Sequence, residues 1–251
     1  MNSMHRAMRK SHWARTAWKT RVNPDMTIGL IGGLGVGAGI HYYRELAAAH
    51  DVARQPLRLV MNHASISTAT GYASAGDRKG LADYLASLLS ELKAAGATLG
   101  VIPAVTPHLC IDELTPITPL PVIDITRVVS DEVQRRKLSK VALFGTRFVI
   151  ESDMFGRLSG VEIVRPREPE IAFIHDAYLR LAQTAIVTDA DRQRFVALAD
   201  TLQKRDGVEA ILLAGTDLAM MFDASNTPFP HLDCARAHID AIMRATTGSI
   251  R

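Results

Sequence analysis

Residues 27–46 read TIGLIGGLGVGAGIHYYREL, and residues 140–158 read KVALFGTRFVIESDMFGRL. Each opens on a short apolar run, breaks at glycine and resumes with apolar residues at helical spacing. Such a run stopped by glycine predicts a strand leaving its sheet into a turn, with an amphipathic helix behind it. A second pair repeats the relation. GATLGVIPAVTPHLC (96–110) and GVEAILLAGTDLAMMF (207–222) both pass from glycine through a strand to a threonine-bearing turn and a helix start.

Working outward, LRLVMNHA (57–64) predicts a further strand, and the stretch STATGYASAGDRKG (67–80) reads as polar and glycine-containing, without a periodic pattern. LADYLASLLSELKAAG (81–96) predicts an amphipathic helix closed by Gly96. Alternation of this kind predicts the α/β class with parallel sheets covered by helices on both faces. The internal duplication predicts two pseudo-symmetric three-layer lobes: residues 27–118 with the C-terminal segment 229–251, and residues 119–228. Ligands in open parallel sheets sit beyond the carboxyl ends of the strands, so the cleft between the lobes is the predicted site.

The formal charge of +3 belongs to one end of the chain. Six of the 29 Lys/Arg but one of the 26 Asp/Glu lie in residues 1–25, so the remainder carries a net −2. That stretch lacks the apolar core of a secretory signal and is read as a disordered basic extension before Met26. No basic reader motif accompanies it, and no apolar run approaches a membrane span; neither nucleic acid nor membrane is an expected partner. Two distant cysteines, Cys110 and Cys234, argue against a disulfide scaffold and a zinc site, and make the reducing cytoplasm the expected location.

Gly33, Leu34 and Gly35, followed by Ala38, fit the loose dinucleotide fingerprint. The second strand, however, ends on Asn62 and His63 rather than the acid that would hold a ribose, so no dinucleotide is predicted. Glycine there lets backbone and helix amides approach an anion, such as a substrate carboxylate; a tight turn without a ligand is the plainer alternative. Thr106 and Thr216 occupy equivalent turns, each able to offer a hydroxyl and a helix-start amide to a carboxylate. Thr146 and Arg147 open the second lobe, and a loop arginine can clamp a carboxylate. His63, His108, His175 and His238 stand near loops or helix starts without metal spacing. Cys110 and Cys234 read either as small buried residues or as thiols near helix N-termini, where the dipole favours the thiolate.

These strings together resemble the aspartate/glutamate racemase family, the amino-acid racemases that work without pyridoxal phosphate. IGLIGGLGVGA resembles the family's first strand and glycine loop, near IGxxGGMGPxA. VIPAVTPH with DEL resembles IPCNTAH with DEL, ILLAGTDL resembles ILGCTEL, and HLDCARAHIDA resembles the D-T-x-x-x-H stretch. The resemblance implies a cofactor-independent isomerase acting on an acidic amino acid or related small carboxylate, commonly as a homodimer. It implies a cysteine pair that removes the α-proton from one face and returns it to the other. Those cysteines belong at Ala104 and Gly215, and the usual asparagine at Val105; an apolar Ala-Val tip suits a less polar group there. Candidate replacements for the missing thiols are Cys110, Cys234, His63 and Asp217. A lyase or decarboxylase needing one proton carrier, or a silent amino-acid binder, are the competing expectations.

Overall fold

The computed structural model describes residues 26–155, 158 and 160–248; the basic stretch 1–25 lies outside the described residues. The chain runs β1 (Ile28–Gly32), α1 (Val36–Val52), β2 (Leu59–His63), α2 (Ile66–Ala75), α3 (Arg78–Ala94) and β3 (Leu99–Val101). A 3-10 turn (Thr106–Cys110), α4 (Ile111–Leu114) and α5 (Ile125–Arg135) complete the first half. The second half holds β4 (Lys140–Phe144), α6 (Arg147–Glu151), β5 (Glu162–Val164), α7 (Glu168–Thr184), α8 (Asp189–Asp206), β6 (Ala210–Leu213), a 3-10 turn (Thr216–Met220), β7 (His231–Asp233) and α9 (Cys234–Thr247).

Two parallel sheets result, with strand orders β2-β1-β3 and β5-β4-β6-β7. The first strand of each half is therefore the inner one, flanked by the second and third, and the duplication read in the sequence is a duplication of topology. Ile28 pairs with Leu59 and Leu99, as Val141 pairs with Ile163 and Ala210. Every residue of β1 is buried, which explains its unbroken apolar run: a strand covered on both faces needs no alternation. α3 shows the helix logic. Asp77 accepts the Gly80 N–H at 2.8 Å as N-cap, Leu81, Leu85, Leu88, Leu89 and Leu92 bury one face, and Gly96 at φ 95° follows the C-cap. Each such leucine stabilises the fold by about 1.5–3 kcal/mol.

One element differs from the sequence reading. Residues Ile66–Ala75 form a helix, α2, although Gly71 and four Ser/Thr lie within it. Ser65 caps it by accepting the Thr68 N–H, and only Ala69 is buried, so there was no apolar stripe to read.

The ends of the two halves are exchanged. A parallel bridge from Gly100 to Val122 extends the first sheet, after which α5 packs Ile125, Val129 and Val133 into the core of the second half. Reciprocally, β7 joins β6 in the second sheet, after which α9 packs Ala235, Ile239 and Ile242 beside Ile28, Leu30 and Tyr42 of the first. Asp124 and Asp233 are the N-caps at these two crossings. The lobe boundaries expected at 118/119 and 228/229 lie a few residues before them. Among the described residues no helix is long and apolar enough to cross a membrane.

Candidate active site

Both threonine turns meet where the carboxyl ends of β1, β3, β4 and β6 face one another. The Thr216 hydroxyl, 1 % exposed, donates to the Pro103 carbonyl at 2.9 Å, tying the second turn to the first. Thr106 Oγ1 and Thr146 Oγ1 share a hydrogen bond at 3.0 Å, and Thr146 also accepts the Val149 N–H as N-cap of α6. A cavity of about 30 Å³ lies here, lined by Leu34, Ala104, Val105, Thr106, Thr146 and Tyr178, together with Ile66, Ala69 and Thr70 of α2 and Leu179 and Ala182 of α7. That volume holds one or two waters and no amino acid, so the walls stand closed.

Tyr178 was not singled out by the sequence. It belongs to the buried α7 stripe Ile171, Ile174, Tyr178, Leu181, whose spacing reads as ordinary core. Its ring occupies the space that a side chain at residue 215 would need: a Cβ on Gly215 would overlap Tyr178 Cε2. The tyrosine thus stands where the second thiol of the resemblance would project. Its hydroxyl donates to Asp217 Oδ2 at 3.0 Å. Burial pushes the Tyr178 hydroxyl well above its ordinary pKa, and the neighbouring Asp217 charge pushes the same way.

Asp217 is completely buried. Its other oxygen, Oδ1, accepts the Ala38 N–H at 2.7 Å, in the first turn of α1. One amide behind the glycine loop, that of Ala38, thus meets a carboxyl group of this protein's own. A Cβ on Gly35 would overlap Asp217 Oδ2, so the close approach requires glycine although the backbone there is ordinary extended chain. Gly33, at φ 83° with Ala64 O against its would-be Cβ, is required by both conformation and space. Burial raises the Asp217 pKa; the Ala38 amide and Tyr178 hydroxyl oppose it by stabilising the ionised form.

The remaining candidates lie away from the cavity walls. Cys110 is fully buried, its thiol donates to Pro107 O at 3.2 Å, and burial pushes it up to about 12. Cys234 sits in the core of the second half, with its thiol likewise raised by burial. Both are therefore protonated near neutrality, the opposite of a dipole-activated thiolate. His63 is exposed at the end of β2 beside Gly33, and Asn62 donates to Glu91 on α3. Arg147 has its guanidinium engaged by Glu151 at 3.0 Å and Glu168 at 2.7 Å. Among the described residues no group of three His, Cys, Asp or Glu is placed to hold a metal ion.

Two histidines are structural. His108 Nδ1–H donates to Ala104 O at 2.8 Å, bracing the turn beneath the cavity. His238 donates from Nε2 to Ile123 O and accepts the Tyr42 hydroxyl at Nδ1, both at 3.0 Å, and burial holds its pKa down to about 3. The unfolded chain protonates this ring near 6.5, so between pH 6.5 and 3 the unfolded state binds more protons and stability falls as the pH is lowered. From pH 7 to 5 His238 alone removes about 2 kcal/mol. Asp233, raised by burial to about 6, gains its proton first in the folded state and offsets about 1 kcal/mol of this. Burial also holds the His108 pKa down, which adds to the loss. Urea unfolding at the two pH values should show the net loss, and His238→Gln should shrink it by about 2 kcal/mol. A pH dependence unchanged in that variant would refute the assignment.

With this geometry in view, the comparison with known proteins is direct. The family model of the Asp/Glu/Hydantoin racemases matches residues 31–242. The chain belongs to that family. Solved structures of family-type racemases share its fold: the Picrophilus torridus aspartate racemase superposes with a TM-score of 0.75 at 15 % identity, covering 90 % of this chain and 96 % of that one. An aspartate racemase homologue from Pyrococcus horikoshii OT3 gives 0.72 at 21 % identity, covering 88 % and 99 %. Glutamate racemase from Francisella tularensis, solved with D-glutamate, gives 0.63 at 14 % identity, covering 88 % and 80 %. The family is one of racemases, isomerases by reaction.

Proposed function

We propose that the chain is a cofactor-independent enzyme of the isomerase type that transfers a proton at the carbon next to the carboxylate of a small amino acid or related acid. The observation that carries this reading is the pairing of Thr106 and Thr146 across the two halves, 3.0 Å apart on the wall of a shared cavity. Two hydroxyls so placed can turn together toward one carboxylate. Thr216 supports them by fixing the turn through Pro103 O, and the Gly33–Gly35 loop holds Leu34 in the wall.

Proton transfer by two thiols is unavailable, since neither Ala104 nor Gly215 carries one. Of the four replacement candidates, Asp217 is bonded to a cavity-lining side chain, the Tyr178 hydroxyl, whereas Cys110 reaches only the backbone carbonyl of Pro107, another lining residue. The proposal gives the proton to the Tyr178–Asp217 pair and gives Cys110, Cys234 and His63 no part in it. The active unit is proposed to be a homodimer in the cytoplasm.

The test is exchange of the α-proton in D₂O, followed by proton NMR, with the enantiomers separated on a chiral column. Wild type is expected to exchange the α-proton of a small amino acid, and Tyr178→Phe to slow that exchange by about 10²-fold or more. Both enantiomers appearing indicates isomerisation; exchange with retained handedness indicates one-sided protonation, as in a lyase. Absence of exchange with every small amino acid tried would reduce the protein to a binder and overturn the proposal.

A further inference from the structure

We propose that this cavity selects a monocarboxylate with a small apolar substituent over a dicarboxylate such as aspartate or glutamate; the inference rests on the cavity being the substrate site. A bound dicarboxylate must place its second charge somewhere. Among the described residues the wall has no Lys, Arg or His: its polar side chains are hydroxyls, those of Thr70, Thr106, Thr146 and Tyr178. Thr106 and Thr146 together supply donors for one carboxylate, and Ala104, Val105 and Leu34 line the same cavity. A second carboxylate desolvated against those groups would have no partner, the costliest arrangement for a charge in a protein interior.

The two cationic or dipolar features that could have answered it are already taken. Arg147, the neighbour of Thr146, is held by Glu151 and Glu168. The amide of Ala38 in the first turn of α1 is held by Asp217 Oδ1 at 2.7 Å. Asp217 accepts hydrogen bonds at both oxygens, and in its ionised form it repels a second negative charge brought to the Tyr178 wall. At about 30 Å³ the walls must part for any ligand, and a short substituent asks least of them.

Titration of the full chain by calorimetry with alanine, 2-aminobutyrate, aspartate and glutamate at fixed pH and salt tests this. The two monocarboxylates are expected to bind at least about tenfold tighter than either dicarboxylate, a difference of about 1.4 kcal/mol. Asp217→Asn keeps the shape and both hydrogen bonds while removing the charge, and Val105→Asn adds a polar group to the wall; each should narrow the gap by about threefold or more. Aspartate or glutamate binding as tightly as alanine overturns the inference. So does a gap unchanged in both variants, or no binding by any of the four. Alanine binding without α-proton exchange would sink the proposed reaction and leave this selectivity standing, whereas exchange that favours aspartate would do the reverse.

Discussion

Placing a thiol at residue 215, Gly215→Cys, is expected to destabilise the protein by about 3 kcal/mol rather than to create a racemase. Gly215 has φ −115° and ψ 112°, extended backbone that any residue adopts, so the penalty is steric alone. The obstacle is the Tyr178 ring, which lies within overlap distance of the new Cβ and is itself locked by Asp217. Overpacking of this kind costs 1–3 kcal/mol in typical cores, and a backbone-to-ring clash belongs at the upper end. For a chain of this size the melting temperature should drop by about 6–10 °C. A double-mutant cycle isolates the cause. Tyr178→Ala alone costs about 3–5 kcal/mol through its cavity, but Gly215→Cys added to it should cost almost nothing further, a coupling of about 2 kcal/mol or more. Gly215→Cys within 0.5 kcal/mol of wild type by thermal denaturation, about the noise of additive sites, would show that Tyr178 yields easily. For the same reason the pair Ala104→Cys with Gly215→Cys should not racemise amino acids unless Tyr178 is cut back too.

Asp217→Ala is the second large effect. It strands two buried donors at once, the Ala38 amide and the Tyr178 hydroxyl, each costing about 1–3 kcal/mol when unpaired. Some of that is returned, because a carboxylate raised in pKa by burial is itself uncomfortable. The expected net loss is about 2–4 kcal/mol, against less than about 1 kcal/mol for Asp217→Asn, which can accept from Ala38 and donate to the tyrosine oxygen. Denaturant unfolding of both variants separates the readings: equal losses would mean that charge, and not hydrogen bonding, is what Asp217 contributes.

Much of the architecture was legible because it rests on local signals stated twice. Glycine after an apolar run marked β1 and β4, and threonine after one marked the turns at Thr106 and Thr216; both pairs fall in equivalent places of the two sheets. α2 was illegible because a helix with one buried residue leaves no period in its apolar pattern. The site was harder for a different reason. The glycine loop is read in the sequence as a possible cradle for an anion, but a sequence does not say what meets its amides, and Asp217 is 179 residues from the amide it meets. Tyr178 carried no signal of its own: a helical aromatic on the buried stripe is core until a structure shows what its hydroxyl touches and which missing side chain its ring replaces.

The crossed ends of the chain have a mechanical meaning. The bridge at Val122 extends one sheet and hands the chain to a helix of the opposite half, and β7 with α9 returns the favour. Each half is thus finished by a piece that begins in the other, like two clasped hands. Neither can be excised as an autonomous folding unit, and trimming the chain before His231 would strip an edge strand from one half and a covering helix from its mate in a single cut.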